Sequence, residues 1–160
     1  MNYFTIEELT RSATALHWGI DNRPTAQQIQ HLEELITHLL DPLRQAWTAH
    51  CLKHNLGAPQ LCVTSGFRST QLNQKVGGAS HSAHTDGYAA DLVPRNRKMK
   101  HFKDFCRTWL QDRSFDQFIS EQEDLAGTPR WIHLGLRRFD GSQRHQMLSM
   151  RGGKYQPLTD

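Results

Sequence analysis

Cysteine is scarce in this sequence, at three residues in 160. Cys51, Cys62 and Cys106 form no C-x-x-C pair, and an odd count leaves no closed disulfide framework. They read as reduced thiols, mostly core, in a protein made in the cytoplasm. No apolar stretch approaches the roughly 20 residues that a membrane helix needs, so membrane insertion is not expected. The opening MNYFTIEELTRS lacks a basic segment followed by an apolar run, so no secretory signal is expected either. Charge of one sign is also thin: the net value is +3, and the densest basic stretch, residues 95–100, falls between expected elements. That excludes a nucleic-acid binder built on charge and leaves a weak long-range attraction to polyanions. No repeat or low-complexity linker divides the chain, and its length suffices for one domain over 1–160 with a real core. A monomer is expected.

What is present is organised by helix signals first and strand signals later. Thr5 and Glu8 have capping-box spacing and predict a short helix, and Thr25 with Gln28 predicts a longer one. From Ile29 to Trp47 apolar residues recur at helical spacing, with Pro42 expected to kink or restart the helix after Asp41 and Gly57 to stop it. Leu61–Thr64 reads as a strand, followed by a turn over 65–69 and a short helix over about 69–76. Tyr88–Val93 reads as a second strand. Phe102, Phe105, Cys106, Trp109 and Leu110 line one face of a further helix. Strands are predicted over 115–120 and 130–136, with a weak last one near 144–150. This order predicts an α+β domain: a small antiparallel sheet with helices packed on one face.

The chemistry-bearing residues concentrate in GGASHSAHTDGYAADLVP, residues 77–94. A catalytic zinc keeps three protein ligands and one open position. His84 in a loop and Asp91 on the following strand could supply two, with Gly87, Ala89 and Ala90 giving backbone clearance. His133, a polar residue inside the apolar run Trp131–Gly135, is the best-placed third, because an unsatisfied imidazole there would be costly. Spacing alone leaves this open between a metal site and hydrogen-bonded structural histidines. His50 and His54, four apart, lack the glutamate of H-E-x-x-H and read as a solvated helix end. His31, His38 and His81 have no chelating context.

The motifs taken together narrow the choice. Ser82–Asp91 matches S-x-H-x-x-G-x-A-x-D, Trp131-Ile132-His133 matches W-x-H, and Ser65–Ser69 matches S-G-[YF]-R-S. Asn73–Gly78 resembles N-x-x-V-G-G and Phe115–Glu121 resembles F-D-Q-L-I-x-E. In this order, and to about residue 150, the chain resembles peptidase family M15, the D-Ala-D-Ala carboxypeptidase-like zinc metallopeptidases, in its phage-associated, M15A-type branch.

The resemblance implies a hedgehog/D-Ala-D-Ala peptidase-like fold and one zinc ion held by His84, Asp91 and His133. It implies hydrolysis of peptide bonds in peptidoglycan stem peptides, by a D,D-carboxypeptidase or an endolysin-type endopeptidase, through attack of a zinc-activated water on the carbonyl. It also implies action at the bacterial wall, as a phage or prophage product. Arg68 would face a substrate carboxylate, against the alternative of a loop salt bridge, with Ser82 donating a hydrogen bond beside it. One position departs from the pattern. Many members carry the general base three residues before the second zinc histidine, and here Arg130 stands there, unable to act as a base. Glu121 is the replacement candidate, across an expected hairpin from His133, with Glu123 second; the alternative is a solvent-facing strand end. The missing base also motivates a rival reading, a non-catalytic zinc-containing wall-binding or phage assembly domain.

Overall fold

The computed structural model describes residues 2–158; the expected domain 1–160 has its outermost residues outside this range. Among the described residues seven α-helices and six strands follow in this order: α1 (Ile6–Thr10), α2 (Ala13–Trp18), α3 (Ala26–Leu35), α4 (Asp41–His54), β1 (Leu61–Ser65), α5 (Thr70–Lys75), α6 (Ala83–Asp86), β2 (Ala89–Pro94), α7 (Met99–Trp109), β3 (Gln117–Glu121), β4 (Trp131–Gly135), β5 (Gln146–Arg151) and β6 (Lys154–Pro157). The strands form one sheet in the order β1-β2-β4-β3-β5-β6. The α+β expectation holds, with α2, α6 and β6 as elements that the sequence reading left out.

The capping signals work locally. Thr5 accepts from the Glu8 amide, and at Thr25 the full reciprocal box with Gln28 is present. Pro42 does not break its helix. A π-helical turn over Ile36–Leu40 carries α3 into α4, with the Asp41 amide bonded to the Ile36 carbonyl. The widened turn absorbs the proline that would otherwise clash one turn back. Asn55, left-handed at φ 52°, ends α4 before Gly57 is reached.

Alternation along the strands divides the sheet. Ile132 and Leu134 on β4, Phe118 on β3 and Leu92 on β2 point into the core, where Leu32, Leu39, Leu43, Trp47 and Phe102 pack from the helices. Trp47 and Phe102 meet with ring centroids 5.1 Å apart. The intervening residues, among them Asp91, His133, Ile119 and Glu121, line a cleft on the other face. The sheet is not wholly antiparallel, because β5 returns outside β3 and runs parallel to it. The connection is pinned by buried Asp116, which accepts from the Arg144 amide at 2.9 Å and from its guanidinium at 2.9 and 2.7 Å. That clamp sets β5 on the far side of β3 and not beside β4.

Candidate metal centre

His84 lies in the four-residue helix α6, not in an irregular loop. Ser82 caps α6 by accepting from the His84 amide, and Gly87 closes it in the left-handed region at φ 80°. α3 grips this turn from outside. Gln28 donates to the Thr85 carbonyl at 3.0 Å, and His31 bonds the Asp86 carbonyl at 2.7 Å while stacking on Tyr88. A Cβ at Gly87 would come within 2.8 Å of the Gln28 carbonyl, so the contact requires glycine.

β2 and β4 supply the other two groups in register, with Asp91 opposite His133. His84 Nε2 lies 3.2 Å from Asp91 Oδ1 and 3.2 Å from His133 Nδ1, and the latter is 3.0 Å from Asp91 Oδ1. These three atoms make a nearly equilateral triangle. Its edges approach the roughly 3.3 Å between donors of a tetrahedral zinc whose Zn–N bonds are about 2.0–2.1 Å. His84 Nδ1 sits 2.7 Å from the Gly66 carbonyl, which can only accept. The ring proton therefore belongs on Nδ1, and the Nε2 lone pair faces the triangle, as a carbonyl behind a metal-ligating histidine requires. Two imidazoles and one carboxylate suit zinc, and among the described residues this is the one group of three such side chains with converging donor atoms.

Burial and charge set the protonation states that a metal needs. His84 is 3% exposed, and its desolvation lowers its pKa against the pull of Asp91. Burial would raise the Asp91 carboxyl, but His84 and His133 outweigh it and hold the group well below the carboxylate range. Arg68 reaches Asp91 Oδ2 at 3.4 Å, while its Nε bonds Ser65 at 3.0 Å and its Nη1 bonds Asn73 at 3.2 Å. Buried Asn73 also holds the Ala79 carbonyl, and a Cβ on Gly78 would sit 2.0 Å from Asn73 Oδ1. Gly78 thus makes room for the Arg68–Asn73 brace.

The cleft encloses about 650 Å³ and takes in His84, Asp91, His133, Glu121, Arg68 and Ser82. Glu121 pairs with Trp131 across the β3–β4 hairpin, and the Arg130 amide donates to its carbonyl at 2.9 Å. Burial raises its carboxyl pKa against the opposing influence of His133. The Arg130 side chain is exposed, with one nitrogen 3.5 Å from Gln122 Oε1. Glu123 faces away from the cleft. Lys103 Nζ and Ser120 Oγ each donate to it at 2.6 Å, and Arg151 lies 3.4 Å away. A larger groove of about 790 Å³ beside α1 and β1 lacks a converging donor set. The grip of Gln28 and His31 on α6 was missed by sequence reasoning, because both act on backbone carbonyls, which leave no motif. Asn73 stood in the N-x-x-V-G-G segment, but its bond to Arg68 was not read from it.

Residues 2–134 match the family described as Peptidase M15. Over 46 residues the chain is 46% identical to the zinc D-Ala-D-Ala carboxypeptidase of Streptomyces albus G, covering 29% of this chain and 18% of that protein's length. Among the described residues no helix is long and apolar enough to cross a membrane. This chain belongs to peptidase family M15, the zinc metallopeptidases.

Proposed function

We propose that the chain hydrolyses peptide bonds in peptidoglycan stem peptides, with His84, Asp91 and His133 as the zinc ligands and Glu121 as the general base. The observation that carries this reading is the triangle of three donor atoms in an open cleft that also contains a buried glutamate. Zinc, when bound, supplies a Lewis acid that polarises the scissile carbonyl. The side chains do the rest. His84 keeps its proton on Nδ1 against Gly66 and stays neutral through burial. The Glu121 carboxylate, made more basic by burial, takes a proton from the attacking water and passes it to the leaving amide nitrogen. Three of the five Arg68 N–H donors are engaged by Ser65, Asn73 and Asp91, which leaves two for a substrate carboxylate. Ser82 accepts from the His84 amide and retains its hydroxyl proton for donation.

The test is digestion of purified murein sacculi by zinc-loaded protein, with chelator as control and mass spectrometry of the released peptides. New stem-peptide fragments are expected. Loss of a terminal D-Ala identifies a carboxypeptidase, and internal cleavage identifies an endopeptidase of the endolysin type. Intact sacculi from zinc-loaded protein would overturn the reading.

A further inference from the structure

The cleft has one wall beyond the segment that matches the family. Residues after 134 supply Leu148, Met150 and Tyr155 to the cleft that holds the metal-ligating group. Gly152 and Gly153 have φ of 56° and 77°, the pair of positive values that a type I′ turn needs. This turn folds β6 back on β5, with Tyr155 opposite Met150. β5 lies against β3 with Ser120 opposite Ser149, so one residue further along Glu121 stands level with Met150. Trp131, Glu121, Met150 and Tyr155 therefore form one row across four strands, on the cleft face.

β6 is four strands from β2, which on a flat sheet would put Tyr155 roughly 19 Å from Asp91. The cleft nevertheless takes in both residues, and the Tyr155 phenol, its pKa raised by burial and then by the charges of Glu121 and Asp91, is protonated at neutral pH. The ring is 57% exposed, and among the described residues its hydroxyl has no hydrogen-bond partner. An uncommitted donor thus lines the cleft on the Glu121 side, while Arg68 approaches Asp91 from the β1 side.

We propose that Tyr155 is a further catalytic residue, donating a hydrogen bond to the scissile carbonyl oxygen as that oxygen gains negative charge. The inference rests on the peptidase reading above. Water oxygen adds to the carbonyl carbon, the carbonyl π pair moves onto oxygen, and Glu121 takes the water proton. The C–N bond then breaks as that proton reaches nitrogen, and Tyr155 keeps its own proton throughout. Donors aimed at charge that develops only in the transition state act on kcat.

Tyr155→Phe is the test, run beside wild type on muropeptides released from sacculi. Expected are a ten- to hundredfold fall in kcat, KM within twofold and unchanged zinc content by mass spectrometry. A phosphinate analogue of a D-alanyl dipeptide should bind the variant about tenfold more weakly by calorimetry, with product affinity unchanged. A kcat within twofold of wild type, or an effect confined to KM, would overturn the role of Tyr155. If wild type itself cleaves nothing, the stem-peptide reading fails separately, and the phosphinate comparison still decides on Tyr155.

Discussion

Glu121 and Glu123 are two residues apart on one segment, yet they serve opposite faces of the sheet. Glu121 ends β3 on the cleft side, in the row above His133, where Arg68 acts on it only at a distance and no described residue forms an ion pair with it. Glu123 turns to the helix side, where Lys103 from α7, Ser120 and Arg151 surround it. Strand alternation would have put both on one face. Gln122 prevents this: its φ of 48° is left-handed, and the chain swivels there before the Glu123 amide joins the Met150 carbonyl. One backbone rotation separates a carboxylate free to take a proton from one locked in an ion pair.

The largest test of this division is Glu121→Gln. It should lower kcat/KM by about a thousandfold, within the range for loss of a positioned acid–base group. Zinc content and thermal midpoint should stay near wild type, and full activity in the variant would remove Glu121 from the reaction. Glu123→Gln should do the reverse. Lys103 would be left buried without its partner, at a cost of about 3 kcal/mol in chemical unfolding, while activity per folded molecule is preserved. A smaller effect is expected at the swivel. Gln122→Val places a β-branched residue in the left-handed region and should destabilise by about 1–2 kcal/mol, whereas Gln122→Gly should be nearly neutral. Equal stability of the two variants in urea would mean that the swivel carries no strain.

Much of the site was legible because its parts lie within motifs. His84, Asp91 and His133 stand in two short patterns, and His133 stood out as a polar residue inside the apolar run Trp131–Gly135. The ranking of Glu121 over Glu123 came from the expected hairpin, but their placement on opposite faces was not legible, because a left-handed glutamine has no signature when no glycine or asparagine marks it. Helices with long apolar stripes, such as α3 with α4 and α7, were readable from period alone. The parallel β3–β5 pair was not, since it depends on Asp116 capturing Arg144 across 28 positions. β6 was missed for a related reason: all four of its residues are exposed, so no burial pattern marks it.

The two carboxylates should also respond to pH with opposite sign, which is the subtlest test. Burial pushes Glu123 up, but the bonds from Lys103, Ser120 and Arg151 outweigh it and hold its pKa below the ordinary value. Its contribution to stability is therefore full above the unfolded value of about 4.3 and disappears as pH falls through the lower folded one. Glu121 is raised, so its ionised form opposes folding once pH climbs past that same unfolded value and on through the folded one. Thermal unfolding of metal-free protein, with chelator present, should separate them between pH 3 and 7, a window set by that value of about 4.3. The deficit of Glu123→Gln relative to wild type should shrink as the solution is acidified. Glu121→Gln should instead gain on wild type as pH rises. Parallel curves for the two variants would mean that both glutamates share one environment, and the separation made by Gln122 would be lost.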